Sequence, residues 1–163
     1  MRAAPIGVLP GLGDVMKRCR IQAALTHDTV DGTNAALAAS LLTHYFAYHK
    51  GPKNEAGIFI RDHVNGPWAT PWVGPVGSKG WQSVRAAITA VMESDTMTGL
   101  LKRCIGFTGD VDTVAAIALA AASYCDEIKK DIPQALFDGL ENGAFGRDYI
   151  VELDVRLQAL REQ

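Results

Sequence analysis

Residues 107–113 read Phe107-Thr108-Gly109-Asp110-Val111-Asp112-Thr113, and an alanine-rich run follows at once: Val114-Ala115-Ala116-Ile117-Ala118-Leu119-Ala120-Ala121-Ala122. The run decides the fold class. Alanine has the highest helix propensity, and nine apolar residues in a row with no Gly or Pro predict a buried helix reaching to about Cys125. A membrane span needs roughly 20 such residues, so this one is too short to cross a bilayer. In front of it sit two carboxylates and a hydroxyl. Residues two apart on a regular helix point about 200° away from each other, so Asp110 and Asp112 converge only if the chain is still turning before the helix begins. Gly109 makes such a turn easy. Converging oxygen donors suit magnesium or manganese, and carboxylates gain from a helix N-terminus. The same spacing suits an aspartate that merely caps the helix, and spacing alone leaves the two readings open.

Outward from this stretch the helical period repeats. Leu12, Val15, Met16, Cys19 and Ala23 share one face, and a second helix is predicted from Asp31 or Gly32 through Leu37, Leu41, Tyr45 and Phe46. Trp81, Val84, Ile88, Val91 and Met92 define a third, and Met97, Leu100, Leu101, Cys104 and Ile105 a fourth. Asp131-Ile132-Pro133 reads as a capped helix start, with Gly143 as its stop. Asp148 opens a last helix with an apolar stripe of Ile150, Leu153, Leu157 and Leu160, its charged residues Glu152, Asp154, Arg156 and Arg161 facing outward. No stretch alternates apolar and polar residues long enough for a half-buried strand, so the fold is predicted to be all-α, a compact multi-helix bundle. Residues 51–80 are predicted to be mostly loop. They hold six of the 16 glycines, four of the seven prolines and two of the three tryptophans. A loop that long within a domain is usually functional, and its Ile58, Phe59, Ile60, Trp68 and Trp72 imply that it packs against something.

Composition sets outer limits. The 163 residues, 48% hydrophobic, suffice for one domain with a sizeable core. A formal charge of −2 gives no overall positive field for nucleic acid or an anionic membrane. Three cysteines, Cys19, Cys104 and Cys125, are odd in number and lack Cys-x-x-Cys spacing, which argues against disulfides and a zinc knuckle and fits a cytoplasmic setting. Each lies on an apolar stripe and reads as core. Neither His-Glu-x-x-His nor a complete nucleotide loop occurs, although Gly11-Leu12-Gly13 and Gly77-Ser78-Lys79 are fragments of such loops. Trp68, Trp72 and Trp81 are candidates to stack on an adenine or to line a cleft, with core packing the stronger reading for Trp81.

The string from Phe107 to Thr113 is similar to the signature Gly-Gly-Asp-x-Asp-Thr of the ADP-ribosylglycohydrolase family, with Thr108 in place of one glycine of the pair and Gly109 retained. Three further stretches agree in order. Met1-Arg2-Ala3-Ala4-Pro5-Ile6-Gly7 resembles the family's Met-Arg-x-x-Pro-x-Gly, Leu25-Thr26-His27 with Asp28 resembles its Thr-His segment, and Ile132-Pro133 to Leu140-Glu141 resembles its Ile-Pro…Leu-Glu ending. The resemblance implies an orthogonal helical bundle and metal-dependent hydrolysis of the glycosidic bond between ADP-ribose and an acceptor, which the sequence does not name. It implies metal contacts from Asp110, Asp112 and Thr113 to a binuclear Mg2+ or Mn2+ site, and contact of His27 with the ribose and phosphates of ADP-ribose or an ADP-ribosylated substrate.

Family members carry the remaining metal ligands in an upstream Thr-Asp-Asp motif and a further acidic residue, a second set this chain lacks. Its Met1 matches a methionine internal to the family, so residues 1–163 read as the C-terminal portion of the fold. The expectation is a chain that self-associates or seeks an N-terminal half. The alternative function is a non-catalytic ADP-ribose-binding or helical protein-interaction module.

Overall fold

The fold comes from a computed structural model that describes residues 1–161. The chain runs through a 3-10 turn (Ala4–Val8) and eight α-helices: α1 (Leu12–Ala24), α2 (Val30–Ala47), α3 (Ala56–His63), α4 (Gly80–Met92), α5 (Met97–Gly106), α6 (Val111–Ala122), α7 (Gln134–Asp138) and α8 (Arg147–Arg161). The all-α expectation holds; the described residues contain no strand, only isolated bridges at Val76–Gly109 and Thr96–Lys129. No helix of the described residues is long and apolar enough to cross a membrane.

At the centre are α2, α4 and α6. From Leu37 through Ala47 every residue of α2 is buried, the polar Ser40, Thr43 and His44 included, so the helix is enclosed on all sides there. Its start is one residue earlier than Asp31 because Thr29 takes the cap: its Oγ1 accepts from Gly32 N at 3.0 Å, a bond worth about 1 kcal/mol. The N-terminal 3-10 turn clamps onto α2. His44 Nδ1 donates to the Gly7 carbonyl at 3.1 Å and the Tyr48 hydroxyl donates to the Val8 carbonyl at 2.5 Å. Gly7 has no substitute, since a Cβ there would lie 2.2 Å from the Ser40 carbonyl oxygen. Against α2 pack α4 and α6, which also pack on each other, and each buries three alanines fully, Ala86, Ala87 and Ala90 on one and Ala118, Ala121 and Ala122 on the other. Past the end of α6, Lys130 Nζ donates to the carbonyls of Ala122, Cys125 and Ile128 at 2.6, 2.5 and 3.0 Å, so an ammonium answers the helix's negative end. Cys19, Cys104 and Cys125 are buried, and burial pushes the Cys104 thiol up to about 11. They are core residues.

Three sequence expectations need correction. The segment 51–80 is not mostly loop in its first half, because Ile60 and Ala56 pack inward from α3, a short helix whose period the surrounding Gly and Pro concealed. Its tail is anchored. Trp68 is buried with its indole donating to the Val64 carbonyl at 3.0 Å, and Trp72 meets Trp81 edge to face at 5.8 Å beneath the Arg85 guanidinium. Asp131 does not start α7: its carboxylate accepts from Thr98 N at 2.8 Å, satisfying an orphan donor of α5 from across the fold. α7 begins after Pro133 and ends at Gly139, not Gly143. The stripe of α8 is not core either. Ile150, Leu153 and Leu160 are exposed, and the helix touches the rest of the chain near its C-terminus, where Gln158 donates to the Tyr124 hydroxyl at 2.8 Å and the half-buried Arg161 sits over the Tyr124 ring.

Candidate active site

The backbone entering α6 is the most constrained in the chain. Thr108 and Gly109 both have left-handed φ, 62° and 80°. Val76 holds the turn from both sides: its N–H donates to the Thr108 carbonyl at 3.1 Å, and its carbonyl accepts from Asp110 N at 3.0 Å. Thus the last residues of the Gly/Pro-rich segment fix the geometry of the acidic motif. Left-handed φ costs a residue with a side chain about 1–2 kcal/mol, and Thr108 carries that cost where the family signature has glycine.

Asp110 occupies the N-cap position of α6 with non-helical φ and ψ of −77° and 58°, yet its side chain closes no capping bond. Its Oδ2 instead accepts from the hydroxyl of Ser83 on α4 at 3.1 Å. Asp110 sits outside the helix and Asp112 on its first turn, so the two carboxylates are not held to the opposed directions that a regular helix would impose. Burial pushes the Asp110 carboxyl up, but the polar groups of Thr113, Asp112 and Ser83 around it outweigh burial and hold it below the usual carboxylate range.

Asp110 and Thr113 face a cavity of about 440 Å³, within the range of about 300–1,000 Å³ typical of small-molecule sites. His27, in the turn between α1 and α2, lines the same cavity together with Arg2. The Arg2 guanidinium donates to Thr26 Oγ1, which lies 2.8 Å from His27 Nδ1. The cavity thus brings a carboxylate and a hydroxyl, a guanidinium and an imidazole into one lining with the alanines of α2. Asp112 is exposed and flanks the cavity through Asp110 without lining it. None of the three tryptophans lines it; the aromatic pair of Trp72 and Trp81 braces the segment that ends in Val76.

As donors, Asp110, Asp112 and Thr113 fit a hard divalent cation, offering two carboxylates and a hydroxyl. Among the described residues no group of three or more His, Cys, Asp or Glu side chains is arranged to hold a metal. Sequence reasoning missed Val76, Ser83 and Arg2. Val76 gave no signal, being a single apolar residue among glycines and prolines. Ser83 was visible only as a polar residue beside Val84 within an apolar stripe.

The match of this all-helical chain to a family model supports a glycohydrolase-type function. The sequence model of the ADP-ribosylglycohydrolase family matches residues 1–163, and the chain belongs to that family. No curated protein and no solved structure matches it.

Proposed function

We propose that this chain's cavity takes the ADP-ribose part of an ADP-ribosylated substrate and serves metal-dependent hydrolysis of the glycosidic bond to the acceptor. One observation carries the reading: Asp110 and Thr113 line a single cavity together with Arg2 and His27. The two pairs suit the two ends of one ligand. Arg2 offers a planar, permanently charged donor to the diphosphate, and His27 offers an imidazole donor to a phosphate or ribose oxygen. Asp110, Asp112 and Thr113 would hold Mg2+ or Mn2+. When bound, such an ion supplies positive charge that orients the ribose hydroxyls and acidifies water. The residues' own part is positional: the motif turn fixes the carboxylates, and Arg2 and His27 fix the far end of the ligand so that the bond to be cleaved rests near them.

Calorimetric titration of ADP-ribose with and without Mn2+ tests this. Binding should tighten when Mn2+ is present, and Asp110→Ala should remove the tightening while leaving metal-free binding in place. ADP-ribose affinity indifferent to Mn2+ and to Asp110→Ala would point instead to a binding module without hydrolytic chemistry.

A further inference from the structure

Ser83 is fully buried on α4, and its hydroxyl has a partner that is unusual for a helical serine. Buried helical hydroxyls commonly bond back to the carbonyl four residues earlier. Two in this chain do so: Ser40 Oγ donates to the Ala36 carbonyl and Thr89 Oγ1 to the Arg85 carbonyl, each at 2.9 Å. The corresponding carbonyl for Ser83 belongs to Lys79 and accepts from Gln82 N instead. Ser83 reaches across to α6 and donates to Asp110 Oδ2. Asp110 is 27 residues away in sequence and itself half-buried, so this bond ties the acidic turn to a different helix.

A carboxylate at a helix start has two competing orientations. It can turn inward to cap the helix, as Thr29 and Thr96 do at α2 and α5, or turn outward. Asp110 closes no cap bond of full geometry, although the Thr113 backbone N–H stands beside its carboxylate. The bond from Ser83 to Oδ2 fixes the carboxylate from a second helix, at the edge of the cavity that Asp110 lines.

We propose that Ser83 is a positioning residue for the candidate metal site, its hydroxyl fixing the orientation of the Asp110 carboxylate where that carboxylate lines the cavity. The proposal rests on the reading of Asp110 as a metal ligand given above. Groups that orient a ligand in this way typically change metal affinity about 10–100-fold when removed. Ser83→Ala deletes one buried oxygen and leaves the buried alanines of α4 and α6 intact.

Two measurements test it. In a Mn2+ titration followed by electron paramagnetic resonance, Ser83→Ala should weaken binding by about 10-fold or more; affinity equal to that of the unmutated chain overturns the proposal. In metal-free thermal unfolding, Ser83→Ala should lower the Tm of the native chain but leave unchanged or raise that of Asp110→Ala, because without its acceptor the buried hydroxyl is an unsatisfied donor. Equal Tm losses in both backgrounds overturn the proposal. If the unmutated chain binds no Mn2+, the metal reading of the site fails, and the unfolding cycle alone decides whether Ser83 orients Asp110.

Discussion

Val76 and Gly109 approach so closely that a Cβ placed on Gly109 would sit 2.0 Å from the Val76 carbonyl oxygen. That oxygen cannot retreat, because it accepts the Asp110 N–H that sets the start of α6. Gly109→Ala therefore combines a backbone clash with a left-handed φ of 80°. A cost of about 3 kcal/mol or more is expected, a Tm loss of roughly 6–12 °C at this chain length. Differential scanning calorimetry checks it, and a loss under about 2 °C would mean the turn can be rebuilt.

Thr108 should behave in the opposite way. Glycine there removes a left-handed cost of about 1–2 kcal/mol while adding about 0.5–1 kcal/mol of unfolded-state freedom. Its hydroxyl makes no hydrogen bond that offsets the difference among those of the described residues. Thr108→Gly should raise the Tm by about 1–4 °C. A clear fall would show that the threonine side chain contributes packing that outweighs its backbone strain.

Acid sensitivity should trace in part to His44. Burial pushes its pKa below the ordinary value of 6.5, since its ring is enclosed between α2 and the N-terminal turn. The unfolded chain then takes up a proton that the folded chain refuses. Stability is thus unaffected above about pH 6.5 and declines as the pH drops from there toward the folded pKa. Urea unfolding at about pH 7.5 and about pH 5.5 measures the decline. His44→Gln, which keeps a donor for the Gly7 carbonyl, should shrink the difference; an undiminished difference would show that His44 is not its source.

The C-terminal region presents Leu136, Phe137, Leu140, Phe145, Ile150 and Leu153 to solvent, an apolar set unlike the charged exterior of most helical surfaces. Removing such area from water contributes about 25 cal/mol per Å², enough to drive association. Average mass by light scattering should rise with concentration, and a hydrophobic dye should bind. The paired change Ile150→Glu and Leu153→Glu should suppress both without melting α8. A chain that stays monomeric and dye-free at high micromolar concentration would overturn this expectation.

Much of the bundle could be read from periodicity because apolar residues at helical spacing mark the buried face of α1, α4, α5 and α6, while α2 is buried all round from Leu37. Periodicity failed where they part. The stripe of Ile150, Leu153 and Leu160 has helical spacing and forms a helix, but spacing reports which residues share a face and not what covers that face. In α3 the period is sound but only eight residues long, too short to stand out among flanking glycines and prolines. Within the candidate site, Asp110, Asp112 and Thr113 were legible because their chemistry is local to one turn. Val76 and Ser83 meet Asp110 through long-range bonds, and Arg2 shares its cavity, through helix packing that no local pattern encodes.

The buried alanines of α4 and α6 make side-chain volume the quantity that sets where the acidic turn lies relative to Ser83. Each helix presents three fully buried alanines to a densely packed interior, so an added methylene there has no free space to enter and must spread the helices. In a saturation library at Ala86, Ala90, Ala118 and Ala121, tolerance would then rank by size and hardly at all by hydropathy. Serine and glycine would fall near alanine despite their polarity or flexibility, and valine and leucine far below it. Selection on such a lineage would see these positions as a ruler, with the separation of two helices as the length it fixes.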